Sequence, residues 1–475
     1  MQDLYLRAER LYFLPIGGTA TAPLAGLLQQ AGHHVEGVDV QIYPPMSSLL
    51  EELEIPVRIG FDPNCIPDTV DRVIVGNAVP RHNPEVAEVL KRRLPYLSQA
   101  EAVAHYVLAR GFESLVVAGT HGKTTTSAML AWILENCGAD PSYLIGGLPQ
   151  WNRRGFRLGG GRYLVIEGDE YNAAFFDRGP KFLHYRPHLF LVNPVEFDHA
   201  DLYPDLDAVV TAFRAGAAQV PRDGTVVVNA WSGCALDAVR DATAPIIRVG
   251  PGDDCDFRLV SFTGAADESA LELAWSGDNL RMKLSQPGMH NAQNAAMAVA
   301  AAISVGIQPA DAVGAIGCFP GVARRMEVVG EAAGVVVVDD FAHHPTALAV
   351  TIAAARQRWP DRRLVIAFEP RSLTAARIAF QEAYLEALAG ADLVLMAPPF
   401  RRDRLASNEV VDRESLAAAL GAAGVASVMP EEGEDAAASL VGALRFGDVV
   451  VGCSSGAFGG FHKNLIEALQ TGDKG

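Results

Sequence analysis

The segment VVAGTHGKTTTSAML, Val116 to Leu130, carries the residue types that phosphate chemistry needs. A strand-like run ends at Gly119, the triplet Gly122-Lys123-Thr124 follows, and a helical pattern begins directly after it. Backbone N–H groups at such a strand-to-helix turn favour anions, because the helix N-terminus is the positive end of the dipole. A lysine in the turn can bridge β- and γ-phosphates, and the hydroxyl after it can ligate Mg²⁺. The usual loop of this kind would put its first glycine at 117, where Val117 stands instead. Gly119, Thr120, His121, Gly122, Lys123, Thr124 and Thr125 therefore read as a shortened phosphate cradle, with His121 as a positioning residue. The plainer alternative is an ordinary turn with a surface lysine.

Two further stretches sit at strand ends. In VIEGDEYNAAFFD, Glu167, Asp169 and Glu170 form either a solvated acidic turn or, downstream of the cradle in the same sheet, a place for a metal ligand. Glu167 is the expected ligand. In NPVEFDHADLY, Asp198 and His199 follow another apolar strand, at the edge where parallel sheets bind ligands.

These residues need a scaffold, and strand-like and helix-like runs alternate almost throughout, the pattern of parallel α/β sheets. With 475 residues the chain accommodates roughly three domains. The first block opens with LYFLPIGGTATAPLAGLLQQAGHHVEGVDV, a βαβ unit with a glycine turn at Gly17 and Gly18 and an acid, Asp39, closing the second strand. Pro15 replaces the first glycine of a dinucleotide fingerprint, which weakens a nicotinamide reading. A helix is expected around Val86 to Arg93. The second block starts with the strand SLVVAG, continues through RYLVIEGDE, HLFLVN and GTVVVN, and makes an antiparallel excursion through FRLVSF, LELAWS and LRMKLS. It closes with an Ala-rich helix after GMHNAQN. The third block alternates GVVVVDD, RLVIAFEP, ADLVLMAPP and DVVVGCSS with helices and ends in one from about Phe461 to Leu469. Boundaries are expected near 110 and 322, giving domains 1–110, 111–322 and 323–475.

Composition excludes several classes. A formal charge of −17 argues against a duplex-binding surface. The six cysteines are scattered, with no CxxC pair, so neither a disulfide framework nor a zinc cluster is expected; reduced thiols fit a cytoplasmic protein. The N-terminus MQDLYLRAER has no apolar signal core. AAMAVAAAISVGI falls short of the ~20 apolar residues that span a bilayer, so a soluble protein with no membrane partner is expected.

GTHGKTTT, EGDE, Asp198-His199, GMHNAQNAA, RRME and DDFAHHP occur in the order and spacing of the Mur ligase family, the ATP-dependent amide-forming enzymes of peptidoglycan synthesis. The resemblance covers nearly the whole chain. It implies a Rossmann-like N-terminal domain for a UDP-sugar, a central P-loop ATPase domain, and a Rossmann-like C-terminal domain for the acceptor. By resemblance, Lys123 and Thr124 hold the ATP phosphates and one Mg²⁺, while Glu167 and His199 hold a second. Asn291 and Asn294 contact adenine; for Asn291, capping a buried helix is the plainer role. Arg325 and Asp340 reach the γ-phosphate and the ribose, and a hinge near 322 closes them onto ATP. Lys123, His199 and Arg325 are the expected catalytic residues. Gly17, Gly18, Thr19 and Asp39 are expected at the UDP-sugar. Several members carry a carbamylated lysine where this chain has Arg214, so that modification is expected to be absent, as in members that take UDP-N-acetylmuramate directly.

IGGTATAPLAGLLQQAGHHVEGVDVQIYPPMSSLLEE, FEPRS and SSGAFGGFHKNLIEAL are similar to the branch that joins L-alanyl-γ-D-glutamyl-meso-diaminopimelate, the murein tripeptide, to UDP-N-acetylmuramate. Arg371, with His343 and His344, is then expected to face that peptide; pairing of Arg371 with Glu369 is the plainer alternative. Pro15 stands where relatives have glycine, although Gly17 and Gly18 remain. Rival readings are the L-alanine-adding branch, a nucleotide switch without ligation, and a nicotinamide oxidoreductase.

Overall fold

The computed structural model describes residues 7–199, 202–266, 268–372, 374–399, 406 and 409–472. It divides into two compact units. The first comprises Met1–Ser261, Glu272–Met282 and Gln293–Pro320, and the second Phe262–Leu271, Lys283–Ala292 and Gly321–Gly475.

In the first unit, β1 (Arg10–Leu14), β2 (His34–Asp39), β3 (Val57–Ile59), β4 (Arg72–Val75) and β5 (Tyr96–Ser98) form a sheet in the order β3-β2-β1-β4-β5, with every pairing parallel. Alternation explains its two covered faces: Leu11 and Phe13 enter one core, Tyr12 and Leu14 another. The glycine turn feeds helix Thr21–Gln30. The helix expected from Val86 begins earlier, at Pro84, because Asn83 accepts from the Glu85 and Val86 N–H groups as its N-cap.

A second sheet follows, built from β6 (Glu113–Ala118), β7 (Ser142–Leu144), β8 (Phe156–Arg157), β9 (Tyr163–Gly168), β10 (Pro187–Val192), β11 (Thr225–Asn229), β12 (Ile246–Gly250), β13 (Phe257–Gly264), β14 (Ser269–Trp275) and β15 (Asp278–Leu284). Its order is β15-β14-β13-β12-β11-β10-β6-β9-β7-β8. The central strands are parallel, so the ends of β6, β9 and β10 open on one edge. Helix Lys123–Asn136 leaves that edge directly from β6.

The second unit contains β16 (Glu327–Ala332), β17 (Val335–Asp340), β18 (Leu364–Phe368), β19 (Leu393–Met396), β20 (Ala426–Val428) and β21 (Val449–Cys453), in the order β16-β17-β21-β18-β19-β20. Only β16 runs antiparallel. Val336, Val338, Ile366 and Phe368 fill one core and Val335, Val337, Val365 and Ala367 the other, as a sheet covered on both faces requires. The last helix runs Phe461–Gly472, a turn's length past the expected Leu469. All six cysteines are free, and among the described residues no helix is long and apolar enough to cross a membrane.

Candidate active site

The shortened loop closes over the end of β6 and turns into helix Lys123–Asn136 at Gly122, whose φ is +79°. A side chain there would be strained, and its Cβ would lie 2.4 Å from Asn294 Oδ1. That oxygen accepts from the Thr126 hydroxyl at 3.1 Å, and Thr126 in turn accepts from Asn193 Nδ2 at 3.0 Å. Asn294 therefore supports the loop from behind. Thr120 is fixed through its hydroxyl to the backbone N–H and C=O of Glu196, and His121 Nε2 lies 3.1 Å from the Glu196 carboxylate. Among the described residues no side chain caps this helix, whose N-terminus is the positive end of its dipole.

Lys123 does not point into solvent. Its ammonium donates to the Gly119 carbonyl at 2.7 Å and to Glu170 at 2.8 Å. The side chains are 12% and 2% exposed. Glu170 also faces His199, whose Nε2 is 3.4 Å away, and its carbonyl accepts from the Tyr203 hydroxyl. His199 itself has a left-handed backbone, φ +54°, and its N–H donates to Asp198 at 2.6 Å. Glu167 accepts from the Thr124 hydroxyl at 2.9 Å and from the Gly146 N–H at 2.7 Å. Asp169 pairs with the buried Lys181 at 2.9 Å, and the Lys181 ammonium lies 4.4 Å from the centre of the Tyr171 ring. Three carboxylates thus share two ammonium groups.

The charges respond accordingly. Burial alone would lower Lys123, but Glu170, Asp169 and Glu167 more than offset it and its pKa rises. Burial pushes Glu170 up, yet Lys123 and His199 bring it below the ordinary glutamate range. For Glu167 burial wins, with Asp169 adding to it, and the carboxyl is raised. Burial lowers His199, but Glu170 raises it further, to a net increase. The structure brings Lys123, Thr124, Glu167 and His199 into one neighbourhood, together with Glu170, which the sequence reading does not place in the site. The signal was the EGDE run, which does not reveal which acid meets the lysine.

The residues fit a divalent cation. The Thr124 hydroxyl and the Glu167 carboxylate, 2.9 Å apart, offer the oxygen donors that Mg²⁺ takes, and His199 adds an imidazole, its Nε2 3.4 Å from the buried Glu170 Oε1.

At the first sheet, the Gly17 N–H donates to Asp39 at 2.8 Å, and the same carboxylate takes the Val40 N–H at 2.7 Å. Asp39 thus holds the turn. The Gly18 N–H donates to Thr21, and Thr19 is exposed. The Arg214 guanidinium lies 3.2 Å from Asp237 and 3.7 Å from Asp241.

In the second unit, Arg325 lies over the Phe341 ring, 5.0 Å from its centre. Asp340 is buried at the end of β17, accepting from the N–H groups of Met326 and Ala342 at 2.8 Å and from the Thr351 hydroxyl at 3.2 Å. Burial raises its pKa despite Arg325. Asn291 Nδ2 donates to the Pro287 carbonyl at 2.8 Å, and its neighbour His290 is pushed down to about 4 by burial and by Arg325. His343 Nδ1 is 3.0 Å from the Phe341 carbonyl, and its own carbonyl accepts from the Tyr384 hydroxyl. His344 is buried, edge-on to Phe380 at the start of helix Pro345–Arg358. Arg371 pairs with Glu369 at 3.2 Å.

The chain is similar to known proteins along most of its length. Residues 10–110 match the Mur ligase family catalytic domain, 117–302 the Mur ligase middle domain, and 324–456 the Mur ligase glutamate ligase domain. The UDP-N-acetylmuramate–L-alanyl-gamma-D-glutamyl-meso-2,6-diaminoheptandioate ligase of Escherichia coli (strain K12) is 37% identical over 97% of this chain and 98% of its own. The UDP-N-acetylmuramate–L-alanine ligase of Geotalea uraniireducens is 32% identical over 98% and 99%. A crystal structure of a murein peptide ligase from Psychrobacter arcticus 273-4 aligns with a TM-score of 0.77 and 32% identity over 98% of this chain and 99% of that one. With the short phosphate loop, the acidic turn and the three matched domains in one chain, the protein belongs to the Mur ligase family.

Proposed function

We propose that the protein joins L-alanyl-γ-D-glutamyl-meso-diaminopimelate to UDP-N-acetylmuramate at the expense of ATP, returning a murein peptide to peptidoglycan synthesis. The carrying observation is the Lys123–Glu170–His199 cluster beneath an uncapped phosphate loop, in a chain 37% identical to a ligase named for that reaction. The lactyl carboxylate attacks the γ-phosphorus, the bond to the β-phosphate oxygen breaks, and ADP leaves with the electron pair. The tripeptide's alanine amine then attacks the acyl carbon. The tetrahedral adduct expels phosphate, and the amine loses its proton to solvent.

Lys123 carries the catalytic load, exchanging Glu170 for phosphate oxygens and opposing charge that builds as the phosphoryl group moves. Arg325 adds a second positive charge at the γ-phosphate. Thr124 would hold one Mg²⁺ and Glu167 and His199 a second, which supply charge neutralisation and orientation when bound. The segment 1–110 takes the UDP-sugar at the Gly17–Gly18 turn, 111–322 takes ATP, and 323–475 takes the acceptor through Arg371. Asn291 and Asn294 flank adenine, and Asp340 orders the strand end beside the ribose. ATP and UDP-sugar substrates place the reaction in the cytoplasm. The second reading, an L-alanine-adding ligase, rests on relatives such as the 32% identical Geotalea enzyme.

The test of the reaction class is isotopic. With ¹⁸O in the lactyl carboxylate, acyl phosphate formation transfers one ¹⁸O to the released phosphate. Unlabelled phosphate from a reaction that makes product would remove this chemistry.

A further inference from the structure

Arg325 sits in a turn whose flanking residues both adopt a left-handed backbone, Arg324 at φ +60° and Met326 at φ +52°. That conformation is unfavourable for any residue with a Cβ, so the surroundings must enforce it. Three hydrogen bonds do so: Arg324 N–H to the Glu327 carboxylate at 2.8 Å, Met326 N–H to the Asp340 carboxylate at 2.8 Å, and Phe341 N–H to the Arg324 carbonyl at 2.9 Å.

The Arg324 guanidinium is committed elsewhere. Its Nε lies 3.1 Å from Asp339, and its Nη2 donates to the carbonyls of Ser454 and Gly456, both at 2.7 Å. One side chain therefore ties the end of β17 to the loop after β21. The Ser454 hydroxyl is bonded to Glu369 and accepts from the Gly456 N–H at 3.0 Å. The other Glu369 oxygen meets Arg371. Arg371 also lies flat against Gly456, where a Cβ would fall 1.7 Å from its Nε. The braced loop is thus the wall that sets the direction of Arg371. Asp339 has a second neighbour in His462, 3.6 Å away, whose imidazole is lowered chiefly by burial. The Arg324 contacts that nothing else in the network duplicates are the two carbonyls.

We propose that Arg324 is a positioning residue, bracing the Ser454–Gly456 loop against the Asp339 strand end so that Arg371 stays oriented to grip an acceptor carboxylate. The proposal rests on the acceptor reading given above. Lysine in its place would keep the charge beside Asp339 but lacks the planar fork that reaches both the acid and the carbonyls.

The test is a double-variant cycle in the full-length enzyme: Arg324→Lys, Arg371→Ala and the pair, with KM for tripeptide, ATP and UDP-N-acetylmuramate from phosphate release. Arg324→Lys raises the tripeptide KM about tenfold, from lost charge-assisted bonds acting through Arg371, and leaves the UDP-N-acetylmuramate KM within about twofold. In the Arg371→Ala background the same change adds nothing beyond about twofold, because its effect passes through Arg371. Ser454→Ala, which cuts the bond to Glu369, gives the same pattern and serves if the lysine variant does not fold. Losses that multiply, or an unchanged tripeptide KM in both variants, overturn the brace while a working wild type leaves the acceptor reading standing. A wild type inactive with tripeptide overturns both.

Discussion

Replacing Lys123 with alanine should separate catalysis from stability in a way the structure makes quantitative. Removing its positive charge from the moving phosphoryl group should cost about 10²–10³ in kcat. The fold should suffer as well, because Glu170 is only 2% exposed and loses its ammonium partner at 2.8 Å. An uncompensated buried charge of this kind costs about 3 kcal/mol. For a cooperative unit of roughly 300 residues, that corresponds to a drop of about 5 °C in Tm. The sign with pH follows from Glu170. In the wild type its pKa is lowered, so its contribution is present above the unfolded glutamate value and lost as pH falls through the folded one. Without Lys123 the carboxyl's pKa rises, and the variant should recover part of its deficit on acidification, when the group is neutral. Lys123→Ala combined with Glu170→Gln should therefore regain most of the lost Tm at neutral pH and none of the activity. Melting curves at several pH values and phosphate release under saturating ATP and Mg²⁺ read both effects. A single variant that keeps half its activity, or a double variant no more stable than the single one, would refute the reasoning.

Glu167→Gln and His199→Ala should each shift the Mg²⁺ titration of activity to higher concentration, since each removes one ligand from a site otherwise completed by substrate oxygens; superimposable titrations would make both residues structural. Gly122→Ala should cost at least tenfold in kcat/KM for ATP, because φ +79° and the 2.4 Å approach to Asn294 force the loop to move; an unchanged ATP KM and kcat would contradict the loop geometry. His184 is raised chiefly by its hydrogen bond to Asp177, 3.1 Å away, so its contribution is complete below the ordinary histidine value and lost as pH rises through the folded one. Wild type should accordingly exceed His184→Gln in stability by about 1 kcal/mol at pH 6, and the gap should close by pH 9 in denaturant titrations; a constant gap would assign the difference to packing.

The sequence was most informative where local chemistry dictates structure. The apolar runs that became β1, β6, β9, β17 and β21 are strongly patterned, and a glycine turn before a helix is legible by itself. It was less informative where distant segments choose partners. In EGDE, Asp169 meets Lys181, which no sequence motif singles out, and Glu170 meets Lys123. Nothing in one strand end specifies that division. The bond from the Thr126 hydroxyl to the Asn294 oxygen, 168 residues apart, is likewise not written in GMHNAQN. RRME does not reveal the task of Arg324, because the bonds that give it lie 130 residues on, at Ser454. The early start at Pro84 was foreshadowed by Asn83, a residue type that caps helices.

The most direct test of the whole account is acceptor choice. Purified enzyme with ATP, Mg²⁺ and UDP-N-acetylmuramate would be given L-alanyl-γ-D-glutamyl-meso-diaminopimelate or L-alanine at matched concentrations, and initial phosphate release compared with a no-acceptor blank. The account predicts rapid release with the tripeptide and release near the blank with L-alanine. Faster turnover with L-alanine would contradict it and make the protein an alanine-adding ligase.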